Sequence, residues 1–333
     1  MSTGDRLWRR AASRKGGFEY LRVDGKPLRS EAALARIHKL AIPPAWSDVR
    51  IAPSRKAKVQ AVGIDAAGRK QYIYAEAFVA ERAARKYRKL VPFARVLPDL
   101  RSRTNEHLHG AGVGRERVLA TVVRLMCRAF FRVGSERYAV TNRTFGLATL
   151  GKSHLKIDGN DLVFEYVGKS SIDQRRVVAD TPLVEVIREI MEIPGDRLFQ
   201  YRTDDGVVHK VTSREVNSYL QEILGVAYTS KDIRTWGGTV RAATILADIG
   251  PAKTKKEADK HIVLACKLVS TELGNTPAVC RSAYIHPAVL ARYREGKTIE
   301  PVMRKTPRPV EAKSPIAYYP EEAALLRLLT QGP

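Results

Sequence analysis

The spacing of hydrophobic residues changes once along this chain, and that change limits the folds available to it. Up to about residue 75, short apolar runs such as "VRIAPS", "KVQAVGIDAAG" and "RKQYIYAE" are separated by turn residues, which predicts antiparallel strands. Beyond about residue 92, apolar residues recur at helical spacing. We therefore predict an α+β fold, with a small β-rich domain over residues 1–90 and a larger, mainly helical domain over 91–333.

Within the first domain, "GGFEYLRVDGKPL" predicts a strand followed by a turn at Asp24-Gly25. The segment "EAALARIHKL" predicts a short helix that ends before Pro43. The segment "EAFVAERAARKYRKL" predicts a strongly basic helix that ends near Pro92. This last helix is the expected link between the domains.

The second domain is predicted to contain one β-island among its helices. The segment "GRERVLATVVRLMCRAFF" has the pattern of a buried helix, and "HLKIDGNDLVFEYVGKSSIDQRRVVAD" predicts three strands joined by turns at Asp158-Gly159 and around Gly168. A Pro-rich connector and a last amphipathic helix are expected at the C-terminal end. Further helices are predicted near 182–192, 212–224, 236–248 and 255–273.

The charge of the chain favours an anionic partner. Lys and Arg number 58 against 35 Asp and Glu, which gives +23, and 21 basic against 8 acidic residues place +13 in the first 90. Polyphosphate backbones bind such proteins because each neutralised phosphate releases counterions. A basic surface that is merely solvated is the alternative. The N-terminal domain is the first candidate for holding nucleic acid.

The sequence carries little sign of metal, nucleotide or membrane binding. Cys127, Cys266 and Cys280 form neither a disulfide framework nor a CxxC metal pattern, which favours a reducing compartment. There is no GxxxxGK[ST] loop, no clustered set of carboxylates and no apolar stretch of membrane-spanning length, and the start "MSTGDRLWRR" lacks the apolar core of a signal peptide. We expect a cytoplasmic protein, associated with the nucleoid if bacterial, without cofactor or metal.

The stretch "GNTPAVCRSAYIHPAVLARY" places Tyr284 between two short helices. Thr276 is a suitable N-cap and Pro277 a suitable first helical residue, so we expect a helix from there to about His286. Pro287 then opens a second helix that ends near Gly296. A single tyrosine at such a joint is most often an amphipathic ring packed between helices.

Four other polar residues invite comparison with Tyr284. They are Arg132 in "FFRVGSERYAV", Lys169 in "YVGKSS", Arg234 in "SKDIRTWGGT" and Asn275 in "LGNTP". Taken singly, each has an ordinary explanation: a salt-bridged arginine, a lysine at a hairpin end, an arginine at a helix start, and a turn or capping asparagine.

The set, however, resembles one family. The segments "FFRVGSERY", "VGKSS", "KDIRTWG" and "GNTPAVCRSAYIHP", in this order and spacing, are similar to the catalytic segments of type IB DNA topoisomerases of the small poxvirus and bacterial kind. The resemblance extends to "RKQYIY" and covers most of residues 18–295. It implies an enzyme that closes around double-stranded DNA as a clamp, nicks one strand, lets the duplex swivel and reseals it without ATP or metal. We expect the protein to be a monomer.

Carried over by position, the resemblance assigns a role to each residue. Tyr284 is the nucleophile that forms a 3′-phosphotyrosyl link, Arg132 and Arg234 clamp the phosphate, and Lys169 is the general acid. Asn275 donates a hydrogen bond to the phosphate, where many family members have histidine. Lys231 assists proton transfer, and the DNA-binding residues are Gln71, Tyr72, Tyr74 and Tyr138.

These residue types suit the chemistry. Arginine offers a fixed fork of donors for the nonbridging oxygens of a five-coordinate transition state, and lysine has a pKa that falls readily on desolvation or beside other cations. A tyrosine recombinase or integrase is the alternative enzyme, although recombinases commonly have a helical N-terminal domain and histidine at the position of Lys231. A non-catalytic architectural DNA-binding protein is the third possibility.

Overall fold

An antiparallel sheet dominates the first of two units into which the chain divides, Met1–Lys86 and Tyr87–Pro333. The computed structural model describes residues 6–13, 16–225, 228–300 and 318–331. The elements of the first unit are β1 (Trp8–Ala12), β2 (Phe18–Leu21), α1 (Glu31–Lys39), β3 (Ser47–Ile51), β4 (Val59–Ile64) and β5 (Lys70–Tyr74). The strands lie in the order β2-β1-β3-β4-β5.

The small core of this unit forms between α1 and the sheet. Ile37 of α1 packs in one apolar cluster with Val49 and Ile51 of β3 and Ala61 of β4. The Ser30 side chain caps α1 by accepting from the amide of Ala33, 3.4 Å away. The predicted β-rich unit is confirmed.

Strand β1 was not predicted, although it lies inside the sheet. It pairs with β2 on one side and with β3 on the other, so that Arg9 stands opposite both Leu21 and Arg50. Its sequence "WRRAA" has two adjacent arginines and no apolar-polar alternation, and its pairing is therefore a tertiary effect.

Helices make up most of the second unit. Its elements, with one helix that runs across the division, are α2 (Glu76–Arg88), α3 (Leu90–Arg95), α4 (Leu97–Leu108), α5 (Arg115–Ala129), α6 (Glu136–Asn142), β6 (Leu155–Asp158), β7 (Asp161–Gly168), β8 (Ile172–Ala179), α7 (Thr181–Met191), β9 (Gln200–Arg202), β10 (Val208–Lys210), α8 (Ser213–Leu224), α9 (Ser230–Ile249), α10 (Lys255–Leu273), α11 (Pro277–Ala283), α12 (Pro287–Arg294) and α13 (Pro320–Thr330). Strands β6, β7 and β8 form the predicted three-stranded antiparallel sheet. The α+β fold class is confirmed.

Helices α5 and α9 lie at the centre of the second unit's core. Val118, Val122 and Met126 of α5 are fully buried, and Trp236 and Val240 of α9 are nearly so. Each large apolar side chain buried in this way contributes roughly 1.5–3 kcal/mol relative to exposure. The end of α5 and the start of α9 are therefore held on a well-packed base.

Several boundaries differ from those predicted. The linker helix ends at Arg88, because Pro92 lies in the first turn of a separate helix, α3. Helix α11 ends at Ala283, three residues before the predicted end at His286. The β9–β10 hairpin was not predicted. The Pro-rich connector lies at residues 301–317, outside the described residues, whereas the final amphipathic helix is present as α13.

Three chemical features of the described residues bear on the site. None of their helices combines the length and apolar character needed to cross a membrane. No group of three or more His, Cys, Asp or Glu side chains among them is placed to hold a metal ion. Cys127, Cys266 and Cys280 are free thiols.

Candidate active site

Tyr284 is the C-cap residue of α11, in the short joint before α12. The Thr276 side chain caps α11 by accepting from the amide of Val279 at 3.3 Å, as the sequence predicts. The amide of Tyr284 donates to the carbonyl of Cys280 at 2.9 Å. Because Pro287 begins the next helix, the joint is only a few residues long and its backbone is fixed at both ends.

Two residues of α9 contact the joint between α11 and α12 and hold it in place. A side chain at Gly238 would place its Cβ 2.9 Å from the carbonyl oxygen of Tyr284, so glycine permits the close approach. The Thr239 hydroxyl donates to that same carbonyl at 3.2 Å and accepts from the amide of His286 at 3.1 Å. These two residues belong to the motif "WGGT", and the sequence alone did not predict that they contact the Tyr284 joint.

The neighbouring Gly237 brings α9 against the end of α5. Phe130 is the left-handed C-cap residue of α5, and a Cβ at Gly237 would overlap its ring. This contact places Arg132, two residues beyond Phe130, beside Arg234 on the first turns of α9. The approach of Arg132 to Arg234, the two predicted phosphate ligands, therefore depends on Gly237, which is not itself a predicted ligand.

Arg234 lies against the ring of Tyr284 and is only 4% exposed. Its guanidinium carbon is 5.2 Å from the ring centroid, and its Nη2 donates to the carbonyl of Leu273 at 2.8 Å. Its Nη1 donates to the carbonyl of Phe130. Burial, followed by the positive charge of Arg132, lowers the pKa of Arg234 to about 10, so it remains a cation at neutral pH.

Arg132 joins Asn275 to this group. Its Nη2 donates to the carbonyl of Gly274 at 2.6 Å and to the side-chain oxygen of Asn275. Burial lowers the pKa of Arg132. Because the amide oxygen of Asn275 faces Arg132, its Nδ2 is the free donor; it is buried and has no hydrogen-bond partner among the described residues.

The structure leaves the two lysines outside this group. Lys169 begins the turn between β7 and β8, in which Gly168 pairs with Ile172, and its side chain is exposed. Lys231 is exposed in the first turn of α9. Tyr138, on α6, is 54% exposed. None of these three side chains makes a hydrogen bond or ion pair within the part of the chain that the structure describes.

The other predicted DNA-binding residues lie on β5 of the first unit. Gln71 donates from Nε2 to Asp65 at 2.8 Å. The rings of Tyr72 and Tyr74 stack with centroids 6.0 Å apart, and Lys70 lies 5.9 Å from the Tyr72 centroid. This end of the sheet combines the exposed ring of Tyr72 and the half-buried ring of Tyr74 with a cation.

Three more side chains approach the group and were not identified from sequence. Tyr166 of β7 and Gln174 and Arg176 of β8 line a narrow pocket together with Arg132 and Arg234. Burial raises the pKa of Tyr166, and the nearby arginines oppose that rise. The only signal in the sequence was the strand alternation that places residues 174 and 176 on one face.

The buried thiol near Tyr284 does not compete with it. Cys280 lies one turn earlier on α11 and is fully buried. Burial raises the pKa of its thiol to about 12, so the reactive thiolate is scarce at neutral pH. Of these two side chains, Tyr284 is the one against which Arg234 packs.

Comparison with known proteins identifies relatives over most of the chain. Residues 75–307 match the family described as eukaryotic DNA topoisomerase I, catalytic core, and residues 17–65 match bacterial DNA topoisomerase IB, N-terminal domain. DNA topoisomerase 1B of Acanthamoeba polyphaga mimivirus is 30% identical over 84% of this chain and 85% of its own. DNA topoisomerase 1B of Vaccinia virus (strain Copenhagen) is 24% identical over 74% and 76%, respectively.

Proposed function

The chain belongs to the type IB DNA topoisomerases, and we propose that it relaxes supercoiled DNA through a covalent link between Tyr284 and a strand end. One observation carries the assignment of residues. The Arg234 guanidinium lies 5.2 Å from the Tyr284 ring centroid, while Arg132 is hydrogen-bonded to the loop that contains Asn275. Three separate segments of sequence, which contain Arg132, Arg234 and the pair Asn275 and Tyr284, thus supply one cationic site beside one tyrosine.

The reaction is an exchange of phosphodiester bonds. The Tyr284 hydroxyl oxygen attacks the phosphorus, the bond from phosphorus to the 5′ oxygen breaks, and a 3′-phosphotyrosyl bond forms. The new bond retains the energy of the broken one, so the 5′ hydroxyl reseals the strand by the reverse reaction without ATP. Between the two steps the duplex swivels, which relaxes both positive and negative supercoils.

Arg132 and Arg234 stabilise the transition state. Negative charge grows on the nonbridging oxygens as phosphorus becomes five-coordinate, and donors already held in place stabilise that charge without reorganisation. The hydrogen bonds to the carbonyls of Leu273 and Gly274 hold these two guanidinium groups before DNA arrives. The free Nδ2 of Asn275 supplies a further, neutral donor. With this charge supplied by the protein, the proposed reaction requires no metal.

Lys169 is proposed as the general acid that protonates the departing 5′ oxygen. Its exposed position at the β7–β8 turn gives its long side chain freedom to reach DNA held over Tyr284. Lys231, exposed on the first turn of α9, is proposed to assist this proton transfer. Both roles depend on contacts that form with DNA.

The partner is double-stranded DNA. The first unit is proposed to grip the duplex through Gln71, Tyr72 and Tyr74, and Tyr138 of the second unit to add a further contact. The +13 charge of the first 90 residues supports this division of labour. We propose that the protein works as a monomer in the cytoplasm, without a nucleotide cofactor. The three free thiols agree with a reducing compartment.

The family matches favour neither a tyrosine recombinase nor an architectural DNA-binding protein. Incubating the protein with supercoiled plasmid in EDTA, without ATP, separates the three functions. Complete relaxation of positively and negatively supercoiled plasmid is expected. Exchange between two DNA sites would indicate a recombinase, and binding without relaxation would indicate an architectural protein; either result contradicts the proposal.

A further inference from the structure

A third guanidinium lies at the phosphate site proposed above. Arg176 is on β8, two residues beyond Gln174 and therefore on the same face of the strand. Both side chains line the pocket formed by Arg132 and Arg234. The charge of Arg176 is close enough to contribute to lowering the pKa values of these two arginines, although burial is the larger cause for each.

The contacts of Arg176 leave part of it unsatisfied. Its Nη2 donates to the side-chain oxygen of Gln174 at 2.8 Å. Its Nε is buried and has no hydrogen-bond partner among the described residues. Within the same residues, no carboxylate lies within ion-pair distance of Arg132, Arg176 or Arg234. Three cations therefore share one site without a protein counterion.

The unsatisfied donors indicate what the site binds. Across residues 6–13, 16–225, 228–300 and 318–331, the buried side-chain nitrogens without a partner are the Nε atoms of Arg176 and Arg234 and the Nδ2 of Asn275. Leaving a buried donor unpaired destabilises the fold, and burying a cation without a counterion destabilises it further. All three atoms belong to residues around the proposed phosphate site, so an anion with several oxygen acceptors satisfies them together.

Gln174 is placed to hold Arg176 in position. Its Nε2 donates to the carbonyl of Asp173 at 3.1 Å while its oxygen accepts from Arg176. Cβ atoms built at Gly168 and Gly274 would each lie 2.8 Å from a Gln174 side-chain atom. Gln174 thus packs between the residue before Lys169 and the residue before Asn275.

We infer that Arg176 is a third guanidinium donor to the scissile phosphate, held by Gln174 as a positioning residue. The inference rests on the proposed function, because it assumes that the anion is the phosphodiester attacked by Tyr284. In the transition state Arg176 donates to a nonbridging oxygen and shares the added negative charge with Arg132 and Arg234.

The test measures single-turnover cleavage of a DNA duplex by the full chain. Arg176→Met keeps the length of the side chain and removes its charge, and should slow cleavage about 10- to 100-fold, as expected for loss of a charge-assisted hydrogen bond. Arg176→Lys should retain more activity than Arg176→Met. The matched control is Arg175→Ala, because Arg175 points to the other face of β8 and makes an exposed ion pair with Glu165. The control should cleave at nearly the native rate.

A neutral methylphosphonate at the cleaved position distinguishes charge from folding. This linkage lacks the nonbridging negative charge, so it should reduce the cleavage rate of the native protein more than that of Arg176→Met. The difference in cleavage rate between the two proteins should therefore be smaller on the methylphosphonate than on the phosphodiester. The inference would be overturned if Arg176→Met were slower than the native protein by the same factor on both substrates, or if it cleaved the phosphodiester at the native rate. If Arg176→Met does not fold, Arg176→Gln provides the same comparison. Failure of the native protein to form any adduct would instead reject the proposed function.

Discussion

The guanidinium carbon of Arg234 lies 5.2 Å from the centroid of the Tyr284 ring. The two residues are 50 positions apart, on the first turns of α9 and at the end of α11. Their contact depends on Gly238, which allows α9 to approach the Tyr284 backbone. A cation beside the tyrosine stabilises the anionic transition state of the proposed attack.

Tyr284→Phe should abolish covalent DNA adduct formation and leave noncovalent binding nearly unchanged. The substitution removes the attacking oxygen and keeps the ring that packs against Arg234. Denaturing gels after incubation with labelled duplex measure the adduct, and a gel-shift assay measures binding. Cys280→Ala is the control and should still form the adduct, since the buried thiol is not the nucleophile. An adduct formed by the Phe variant would show that another residue attacks.

Lys169→Ala should slow cleavage of a normal strand greatly and cleavage of a 5′-bridging phosphorothiolate hardly at all. A thiolate leaves without protonation, so the general acid becomes unnecessary. Rapid-quench cleavage assays on the two substrates provide the comparison, with Lys156→Ala, on β6 of the same sheet, as the control. If Lys169→Ala reduced the cleavage rate equally on both substrates, Lys169 would instead contact the nonbridging oxygens or position other groups.

Asn275→Ala should reduce cleavage moderately, by less than Arg132→Ala or Arg234→Ala. The variant loses one neutral donor and also the acceptor that holds Arg132, whereas each arginine change removes charge-assisted bonds. Asn275→His should retain part of the activity and gain a pH dependence near the histidine pKa, about 6.5 when unperturbed and higher beside phosphate.

Single-turnover rates from pH 5 to pH 9 test this prediction, and the imidazolium should be the more active form. If Asn275→Ala is as damaging as the arginine changes, the main role of Asn275 is to hold Arg132 and the "GNTP" turn.

Gly237→Ala should destabilise the second unit by about 1–3 kcal/mol through overpacking. The new Cβ would overlap the Phe130 ring, so the ring must move or α9 must shift away from the end of α5. Cleavage should fall as well, because the same contact brings Arg132 to Arg234. Gly114→Ala is the control, since no atom lies within 4 Å of its Cβ. Urea unfolding curves measure the stability of both variants and of the native protein. A Gly237→Ala midpoint equal to the native one would contradict the prediction.

Asp65→Asn should destabilise the first unit above about pH 4 and have less effect in acid. Hydrogen bonds from the side chain and backbone of Arg69 hold the pKa of Asp65 well below its ordinary value of 3.8. A carboxylate with a depressed folded pKa stabilises the fold above the unfolded pKa and loses that contribution as pH falls through the folded one.

The unfolding midpoints of native and variant protein should therefore approach each other steadily as pH falls below 4. Asp24→Asn, at an exposed turn with a 3.2 Å backbone hydrogen bond and a 3.9 Å exposed ion pair with Arg22, is the control and should lower the midpoint less at pH 6. A difference between native protein and Asp65→Asn that does not change with pH would mean that the Asp65 charge is not involved.

Many helices, strands and turns could be predicted from the sequence because they follow from patterns among neighbouring residues. The long apolar repeat of α5, the Thr276 and Pro277 start of α11 and the turns of the β6–β8 sheet each depend on residues a few positions apart. Strand β1 was missed because its pairing with β2 and β3 supplies what its own residues do not.

The sequence by itself determined the fold class, the family and the residue types available for the chemistry. Only the tertiary structure decided which groups share one site, because contacts between distant segments depend on packing. Gly237 against Phe130 sets where Arg132 meets Arg234, and the orientation of the Asn275 amide leaves its nitrogen free. Arg176 joins that site because strand alternation and the β7–β8 pairing turn it inward, beside cations far away in sequence.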